Sequence, residues 1–220
     1  MSDTIVPPTP SDIRAALAAS PKLRSRDLAS QLGISEAQLL AAQTGDGVTR
    51  ISADPDQLMP AAETLGEVMA LTRVEAAVHE KVGQYGNYHP GPHASMVLND
   101  AIDLRIFPKH WVHGFLVEQE SDHGPRRSLQ VFDAAGDAVH KIHLREGSNL
   151  AGWTALKETL ATGDSSGRLE VRPREPVEAA KSDPSKLEIL RKEWARLTDT
   201  HQFLRLCSKL KMNRLGAYRI

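Results

Sequence analysis

Apolar residues recur with different periods along this chain, and each period predicts a type of secondary structure. The first ten residues are rich in proline and predict a disordered N-terminus, after which Ser11 or Asp12 is placed to cap a short helix over IRAALAAS. The next segment, KLRSRDLASQLGISEAQLLAA, predicts two short helices separated by the glycine of LGIS. Ser35 is the predicted cap of the second of these helices.

The middle of the chain changes from helical spacing to the alternation of strands. Helical steps separate four apolar residues and predict a helix: Leu65, Val68, Met69 and Leu71. Strand alternation follows in Val74, Ala76 and Val78. The glycine- and proline-rich tract GQYGNYHPGPHAS predicts an exposed loop. Four strands are then predicted in SMVLNDAIDLRIF, WVHGFLVEQES, RSLQVFD and AVHKIHLRE, with a tight turn at AAGD between the last two.

The C-terminal part of the chain predicts helices and a polar linker. A helix over NLAGWTALKETLA precedes the linker, TGDSSGRLEVRPREPVEAAKSDPS, which has room for a short edge strand. An apolar stripe at three- and four-residue steps then indicates one helix face: Leu187, Leu190, Trp194, Leu197, His201 and Leu204. Residues 198–200 (TDT) are natural capping residues, so a new helix with His201 in its first turn is the alternative.

Length and charge limit the functions that this chain can have. Its 220 residues suffice for one or two ordinary domains, and 27 basic against 28 acidic side chains leave no global field to recruit nucleic acid or an anionic membrane. Residues 20–45 nevertheless resemble a helix-turn-helix unit, so a DNA-binding or regulatory module stays open as an alternative. The basic residues Lys22, Arg24 and Arg26 precede its second helix rather than lie on it.

Cysteine content and apolar runs indicate the compartment. The N-terminal residues lack the basic and apolar runs of a signal peptide, and no apolar run is long enough to cross a bilayer. We therefore expect a cytoplasmic protein without membrane insertion. The single cysteine, Cys207, excludes an internal disulfide framework and a zinc site built from cysteines. Motifs of conventional hydrolases and nucleotide enzymes are absent from the sequence.

A histidine on an apolar helix face, as His201 is, has two physical roles. In a core, both ring nitrogens need hydrogen-bond partners. As a ligand, the neutral imidazole coordinates a metal, and the surrounding apolar residues form a wall on which a flat porphyrin packs. Position alone favours the core role.

Basic residues follow His201 closely. Four basic side chains suit a molecule with two carboxylates, whereas the alternative is a solvated helix face: Arg205, Lys209, Lys211 and Arg214. In one regular helix His201 and Arg214 face different directions, so their joint use requires a helix break near Asn213.

Earlier in the chain, strand alternation places Arg105 on the same face as Asp103, with which it is able to pair. His140 and His143 are three residues apart on a predicted strand, point to opposite faces and do not suit joint metal binding.

Four stretches of the chain carry a family resemblance: LGEVMALTRVEAAVHEKVGQY, DLRIFPKHW, LQVFDAAGDAVHKIHL and WARLTDTHQFLRLCSKLKMNR. They resemble the cytoplasmic haemin-degrading or haem-trafficking factors of bacterial haem uptake, of the HemS/HmuS/ChuS type. The match runs in order from about residue 20 to the end of the chain. Its VHEK and DAVHKIHL blocks are fairly specific.

The resemblance implies an α+β fold. Family members are built from two similar halves, each with helices packed on a large antiparallel sheet. Residues 1–10 would then be a disordered N-terminus, residues 11–172 the first repeat, and residues 173–220 a linker and the helical start of an incomplete second repeat. Family members are usually longer, so the chain is either naturally short or truncated. If the chain is truncated, the exposed apolar surface around Trp194, Leu197 and Leu204 would be covered by a second copy, giving a homodimer.

The resemblance also implies a site and a function. The family's axial iron ligand is a histidine that matches His201, which is therefore expected to bind both metal and haem. Arg105 matches an arginine on the opposite side of the haem, and Arg214 a basic residue that contacts propionate. The implied function is to bind haem in the cytoplasm and either transfer it or help degrade it to release iron. A haem ABC transporter is the expected donor and a haem oxygenase the expected acceptor.

Overall fold

The computed structural model describes residues 7–74, 76–122 and 124–220. Two compact units divide the chain: Met1–Arg174, called here the sheet unit, and Glu175–Ile220, called the helical unit. This division falls two residues after the predicted boundary at residue 172, while residues 1–6 of the predicted disordered segment lie outside the described residues. The interpretation of the helical unit as the start of a second repeat stays a prediction.

The sheet unit begins with helix α1 (Pro10–Ala19), which is capped by Thr9. The Thr9 hydroxyl accepts a hydrogen bond from the Asp12 N–H, and the Asp12 carboxylate accepts one from the Thr9 N–H at 2.9 Å. The predicted cap at Ser11 or Asp12 was therefore wrong. Proline has a fixed φ and no N–H, which suits Pro10 to the first turn and moves the cap back to Thr9.

Two short helices follow as predicted, α2 (Ser25–Gln31) and α3 (Glu36–Ala41). Gly33 makes the turn between them with a φ of +66°, a left-handed conformation that glycine adopts without steric cost. Ser35 caps α3 in a reciprocal arrangement with Gln38. No residue of α3 is exposed, and four of its six residues are buried. Helix α3 therefore lacks the free face that a DNA-recognition helix needs in a major groove.

A six-stranded antiparallel sheet forms the centre of the unit. Its strands are β1 (Val48–Ile51), β2 (Val68–Val74), β3 (Ala77–Gly83), β7 (His113–Gln119), β8 (Arg126–Phe132) and β9 (Ala138–Leu144), in the order β1-β7-β8-β9-β2-β3. A second, three-stranded sheet consists of β4 (Tyr88–His89), β5 (Ser95–Leu98) and β6 (Asp103–Ile106). Together with the helices, these sheets confirm the predicted α+β fold with a large antiparallel sheet.

The helix predicted over Leu65 to Leu71 was wrong. Helix α4 (Pro55–Glu63) ends before that segment, and β2 begins at Val68. Gly66, with a φ of +70°, separates the two elements. Val68 and Ala70 are buried on one face of β2, while Met69 and Leu71 lie on its other face and are partly buried, so apolar residues whose spacing fits a helix here belong to a strand with two covered faces.

The tract GQYGNYHPGPHAS is not simply an exposed loop. Tyr85 within it is only 3% exposed, and Tyr88–His89 forms β4. The following segment, predicted as one strand, is a hairpin of β5 and β6. Asn99 stabilises the turn because its side chain accepts a hydrogen bond from the Ala101 N–H at 3.2 Å and donates one to the Gln84 carbonyl at 3.2 Å.

Helices cover both faces of the large sheet. On one face, α4 and α5 (Leu150–Leu160) enclose the largest apolar core, and the Trp153 indole N–H donates to Glu118 at 2.8 Å. On the other face, α3 packs against a core that contains Phe115 and Phe132. Residues 162–183, all of which are described, contain no strand, so the edge strand predicted in the linker is absent.

Three helices form the helical unit: α6 (Leu187–Trp194), α7 (Gln202–Lys209) and α8 (Arg214–Arg219). A 3-10 turn capped by Asp183 leads into α6. The unit has its own apolar core, which contains Leu190, Phe203, Leu206, Cys207, Leu210, Met212 and Ala217. Within the described residues, no helix has the length and apolar character needed to cross a bilayer.

Candidate functional site

His201 lies at the turn that joins α6 to α7. Helix α6 ends at Trp194, and His201 occupies the residue position just before α7, so the interpretation of the apolar stripe as one helix was wrong. The alternative, a new helix after residues 198–200, describes the structure. The Asp199 carboxylate accepts a hydrogen bond from the His201 N–H at 2.7 Å and fixes the backbone there.

A second side chain holds the same turn. The Gln202 side chain accepts a hydrogen bond from the Thr198 N–H at 3.2 Å and donates one to the Thr198 hydroxyl at 3.1 Å. The hydrogen bonds of the Asp199 and Gln202 side chains close this turn. They hold the half-buried His201 at a defined place at the start of α7.

Three aromatic rings, called here the aromatic cluster, pack together in the helical unit. Trp194 lies 4.5 Å from Phe203 and 5.6 Å from Tyr218 between ring centroids, and Phe203 stacks on Tyr218 at 5.2 Å. Trp194 is 39% exposed and Tyr218 62% exposed. The helical unit therefore combines its one histidine with a partly exposed aromatic surface, on which planar rings pack favourably.

The helix break that joint use of His201 and Arg214 requires is present. Lys211 adopts a φ of +58°, and the Met212 N–H donates to the Cys207 carbonyl at 3.0 Å, which ends α7 in a left-handed turn. Asn213 then caps α8, with its carboxamide oxygen accepting from the Gly216 N–H at 2.8 Å. Arg214 is thus the first residue of a new helix.

Positive charge is concentrated on the exposed surface of this unit. Arg205, Lys209 and Arg214 are exposed, and none of them pairs with a carboxylate in the described part of the chain. Burial raises the pKa of the Cys207 thiol, and the charge of Arg214 partly opposes that rise. Because Arg214 forms no ion pair with a described carboxylate, its guanidinium is available to an anionic group.

Arg105 belongs to the sheet unit, on β6. Cross-strand pairing joins Arg105 to Met96 of β5, and Met96 to His89 of β4. Directly paired residues of an antiparallel sheet share a face, so these three side chains lie on one face of the small sheet. Arg105 and His89 are exposed there, while the opposite face contributes Val97 to the core.

The side chains available as metal ligands favour haem iron over a bare metal ion. Among the described residues, no group of three or more His, Cys, Asp or Glu side chains is placed to hold a metal ion. A bare zinc or iron site needs several protein ligands. Haem iron takes four nitrogens from the porphyrin and needs few from the protein, so one histidine at His201 fits haem and does not fit a bare ion.

His140, in contrast, has the features of a core histidine. It is 4% exposed, and its ring nitrogens lie 2.9 Å from the Thr72 hydroxyl and 2.6 Å from the Tyr85 hydroxyl. Trp111 stacks on its ring at 6.0 Å. Burial, and secondarily the nearby His143, lowers the pKa of His140 to about 4. Both ring nitrogens are thus used inside the protein.

Residues 33–160 match the family model described as the haemin-degrading HemS.ChuX domain. This is more than half of the chain. The chain belongs to this family.

Named relatives and solved structures agree with the family. The hemin transport proteins HmuS of Yersinia pestis and HemS of Yersinia enterocolitica are 38% and 37% identical, each over 93% of this chain. The chain spans 59% of the length of both. Holo-PhuS, a heme-binding protein from Pseudomonas aeruginosa, is 36% identical with a TM-score of 0.82, over 96% of this chain and 63% of that chain. ChuS, an E. coli heme oxygenase, is 31% identical with a TM-score of 0.71, over 91% of this chain and 59% of that chain.

The aromatic cluster could be predicted only in part from the sequence. Trp194 lies on the predicted stripe, but Phe203 and Tyr218 do not. Their association depends on the interruption of the helix before Gln202 and on the second break at Lys211. The capping residues at 198–200 were the available signal for the first of these breaks.

Proposed function

We propose that this chain binds haem, with His201 as the axial ligand of the iron. The observation that carries the proposal is the position of His201, fixed by Asp199 just before α7 in a unit that also contains the aromatic cluster. Membership of the haemin-degrading family and the heme-binding relative PhuS support the choice of ligand.

Two arginines complete the proposed site. Arg214 pairs with a haem propionate, since a guanidinium forms strong charge-assisted hydrogen bonds to carboxylates. Arg105, on β6 of the sheet unit, is the second arginine that would contact haem, and its exposed guanidinium would orient water or oxygen there. Support for Arg105 comes from the family resemblance and from its exposed position on β6. When bound, haem supplies the iron redox chemistry that opens a porphyrin ring.

We further propose that the protein works in the cytoplasm, between a haem ABC transporter as donor and a haem oxygenase as acceptor, or itself helps to degrade haem. The relatives point in both directions, because HmuS is named for hemin transport and ChuS is described as a heme oxygenase. A homodimer that covers the partly exposed Trp194 belongs to the same proposal.

An absorption titration with haemin tests the proposed ligand. In His201→Ala we expect the Soret maximum to move and the affinity to fall by about a hundredfold, because the iron–imidazole bond is lost. His93→Ala is the matched control, since His93 is exposed in the sheet unit and is expected to leave both spectrum and affinity unchanged. Wild-type spectra and affinity in His201→Ala would refute the coordination.

A second measurement separates carrier from enzyme. Haem-loaded protein is mixed with ascorbate, and the Soret band is followed with and without catalase. A stable band supports transfer of intact haem, whereas catalase-insensitive loss with a defined tetrapyrrole product supports enzymatic degradation.

A further inference from the structure

A cavity of about 970 Å³ lies within the sheet unit, between the short helices α2 and α3 and the face of the large sheet formed by β2, β8 and β9. We call it the helix–sheet cavity. Its polar lining includes Arg24, Arg73, Gln130 and Lys141, and its apolar lining includes Ile34 and Leu71. None of the residues proposed to hold haem lines it.

The carboxylates that line the cavity are already neutralised. Glu36 pairs with Lys141 at 2.5 Å, and each of these side chains is only 15% exposed. Asp137 pairs with Arg174 at 2.5 Å. The third carboxylate, Asp27, pairs with a neighbouring arginine of α2 at 3.3 Å. Each acidic side chain of the lining is therefore already paired with a basic side chain, so the lining does not favour an additional cation.

Two guanidinium groups remain. Arg24 and Arg73 both line the cavity, and neither forms an ion pair with any carboxylate that the structure describes. They come from different elements, Arg24 from the residue before α2 and Arg73 from β2. Two such groups facing one cavity favour a ligand with more than one negative charge, because guanidinium forms paired hydrogen bonds to carboxylate and phosphate alike.

The floor of the cavity contains an unsatisfied polar group. Gln130 is 8% exposed, and its carboxamide nitrogen donates to the Ser128 hydroxyl at 2.9 Å. Its carboxamide oxygen is buried and accepts no hydrogen bond from the described residues. Buried polar groups are rarely left unpaired. Exchange of the amide oxygen and nitrogen would still leave one of them without a partner, and a hydroxyl, which both donates and accepts, pairs with either.

We propose that the helix–sheet cavity is a second binding site, separate from the haem site, for a small polyanion that carries a hydroxyl group. Arg24 and Arg73 bind the anionic groups, Gln130 binds the hydroxyl, and Leu71 and Ile34 contact the carbon skeleton. A hydroxylated polycarboxylate and the phosphate ester of a small alcohol share this chemistry.

Matched pairs of probes test the proposal by isothermal titration calorimetry on the full chain. Citrate is compared with tricarballylate, which lacks only the hydroxyl, and glycerol 3-phosphate with propyl phosphate, which lacks both hydroxyls. In the pair that fits, loss of the hydroxyl is expected to weaken binding about tenfold. Binding of the citrate pair would assign carboxylates as the anionic groups, and binding of the glycerol 3-phosphate pair would assign phosphate.

Charge-neutralising variants locate the site. Arg73→Gln and Arg24→Gln are each expected to weaken the bound probe about tenfold, because one charge-assisted interaction is removed. Arg145→Gln is the control, since Arg145 is an exposed arginine of the same unit whose only described ion pair is with Glu67 at 3.7 Å, outside the cavity lining. Gln130→Leu is expected to abolish the advantage of the hydroxylated probe.

Three outcomes would overturn the proposal. One is the absence of binding by both hydroxylated probes. Another is equal binding with and without the hydroxyl, which would mean that the polar group at Gln130 is satisfied by solvent. The third is equal weakening by Arg145→Gln and Arg73→Gln, which would indicate general charge attraction. Each outcome leaves the haemin titration of His201→Ala unaffected, so the two proposals fail separately.

Discussion

The two units of this protein place a histidine in very different surroundings. In the sheet unit, His140 is enclosed between Trp111 and two hydroxyl groups, and its ring nitrogens bond to Thr72 and Tyr85. In the helical unit, His201 is half-buried at a turn, where the structure fixes its backbone through Asp199.

This difference follows from the secondary structure around each residue. A central strand gives a side chain neighbours on both sides, so His140 acquires a complete set of partners and serves stability. A turn between two short helices has fewer neighbours, and His201 at this turn is only half-buried. We therefore expect changes at His140 to affect folding and changes at His201 to affect ligand binding.

The largest effect is expected for His140→Ala. The variant loses ring packing against Trp111 and leaves the buried Tyr85 hydroxyl without its partner, which should lower the free energy of unfolding by about 3 kcal/mol. Urea denaturation measures this change. His79→Ala, at an exposed position of β3, should change the stability by less than about 0.5 kcal/mol. Equal effects of the two substitutions would contradict the structural role of His140.

The next effect is a pH dependence of the free energy of unfolding, which also arises from the burial of His140. Because the pKa of His140 is lowered to about 4 in the folded protein, the unfolded chain, with a pKa of about 6.5 at this residue, binds the extra proton between these values. Stability should therefore be complete above about pH 6.5 and fall by up to about 3 kcal/mol as the pH is lowered to about 4. Urea titrations across this range provide the measurement.

His140→Gln serves as the control for that pH dependence, since glutamine keeps hydrogen-bonding capacity but does not titrate. Its stability should change less with pH than that of the wild type. A variant whose curve parallels the wild type would assign the dependence to other groups.

A smaller and local effect is expected for Gly216→Ala in α8. A Cβ at this position would meet the backbone carbonyl oxygen of Lys181 at 1.9 Å, and backbone cannot move aside as a flexible side chain can. We expect a loss of about 2 kcal/mol from the helical unit alone, visible as faster amide exchange in α8. Gly147→Ala, where a Cβ would meet nothing within 4 Å, should leave exchange unchanged, and protection in β8 should persist in both variants.

The smallest effect is expected for Arg214→Gln on haemin binding. Arg214 is exposed, and water screens its attraction to a propionate, so we expect about a fivefold loss of affinity that diminishes at high salt. Lys209→Gln removes an exposed charge from the same unit and should weaken binding less. A larger loss in Lys209→Gln would transfer the propionate contact to that residue.

Local signals predicted much of the fold. Ser35 as the cap of α3, the turn at Gly33 and the strands from β7 to β9 follow from capping, glycine and alternation patterns that act over a few residues. The helix predicted across Val68 and Leu71 failed because four apolar residues fit two periods over so short a stretch, and only pairing with β3 and β9 selects the strand.

The binding sites, like the fold, were predictable from the sequence only in part. The sequence and its family resemblance identified His201, Arg105 and Arg214 as candidates, and these roles stay predictions. The helix–sheet cavity carried no sequence signal, because Arg24, Arg73 and Gln130 come from three separate elements.

The sequence by itself supplied the local signals for the two helix breaks around His201, since the polar residues at 198–200 and Asn213 bond backbone groups within a few positions, although the apolar stripe also fitted one helix through His201. Only the tertiary structure decided which histidine is buried in the core with both ring nitrogens hydrogen-bonded. Thr72, Tyr85 and Trp111 reach His140 from other parts of the chain, and the burial that removes its charge exists only once the sheet and its covering helices have assembled.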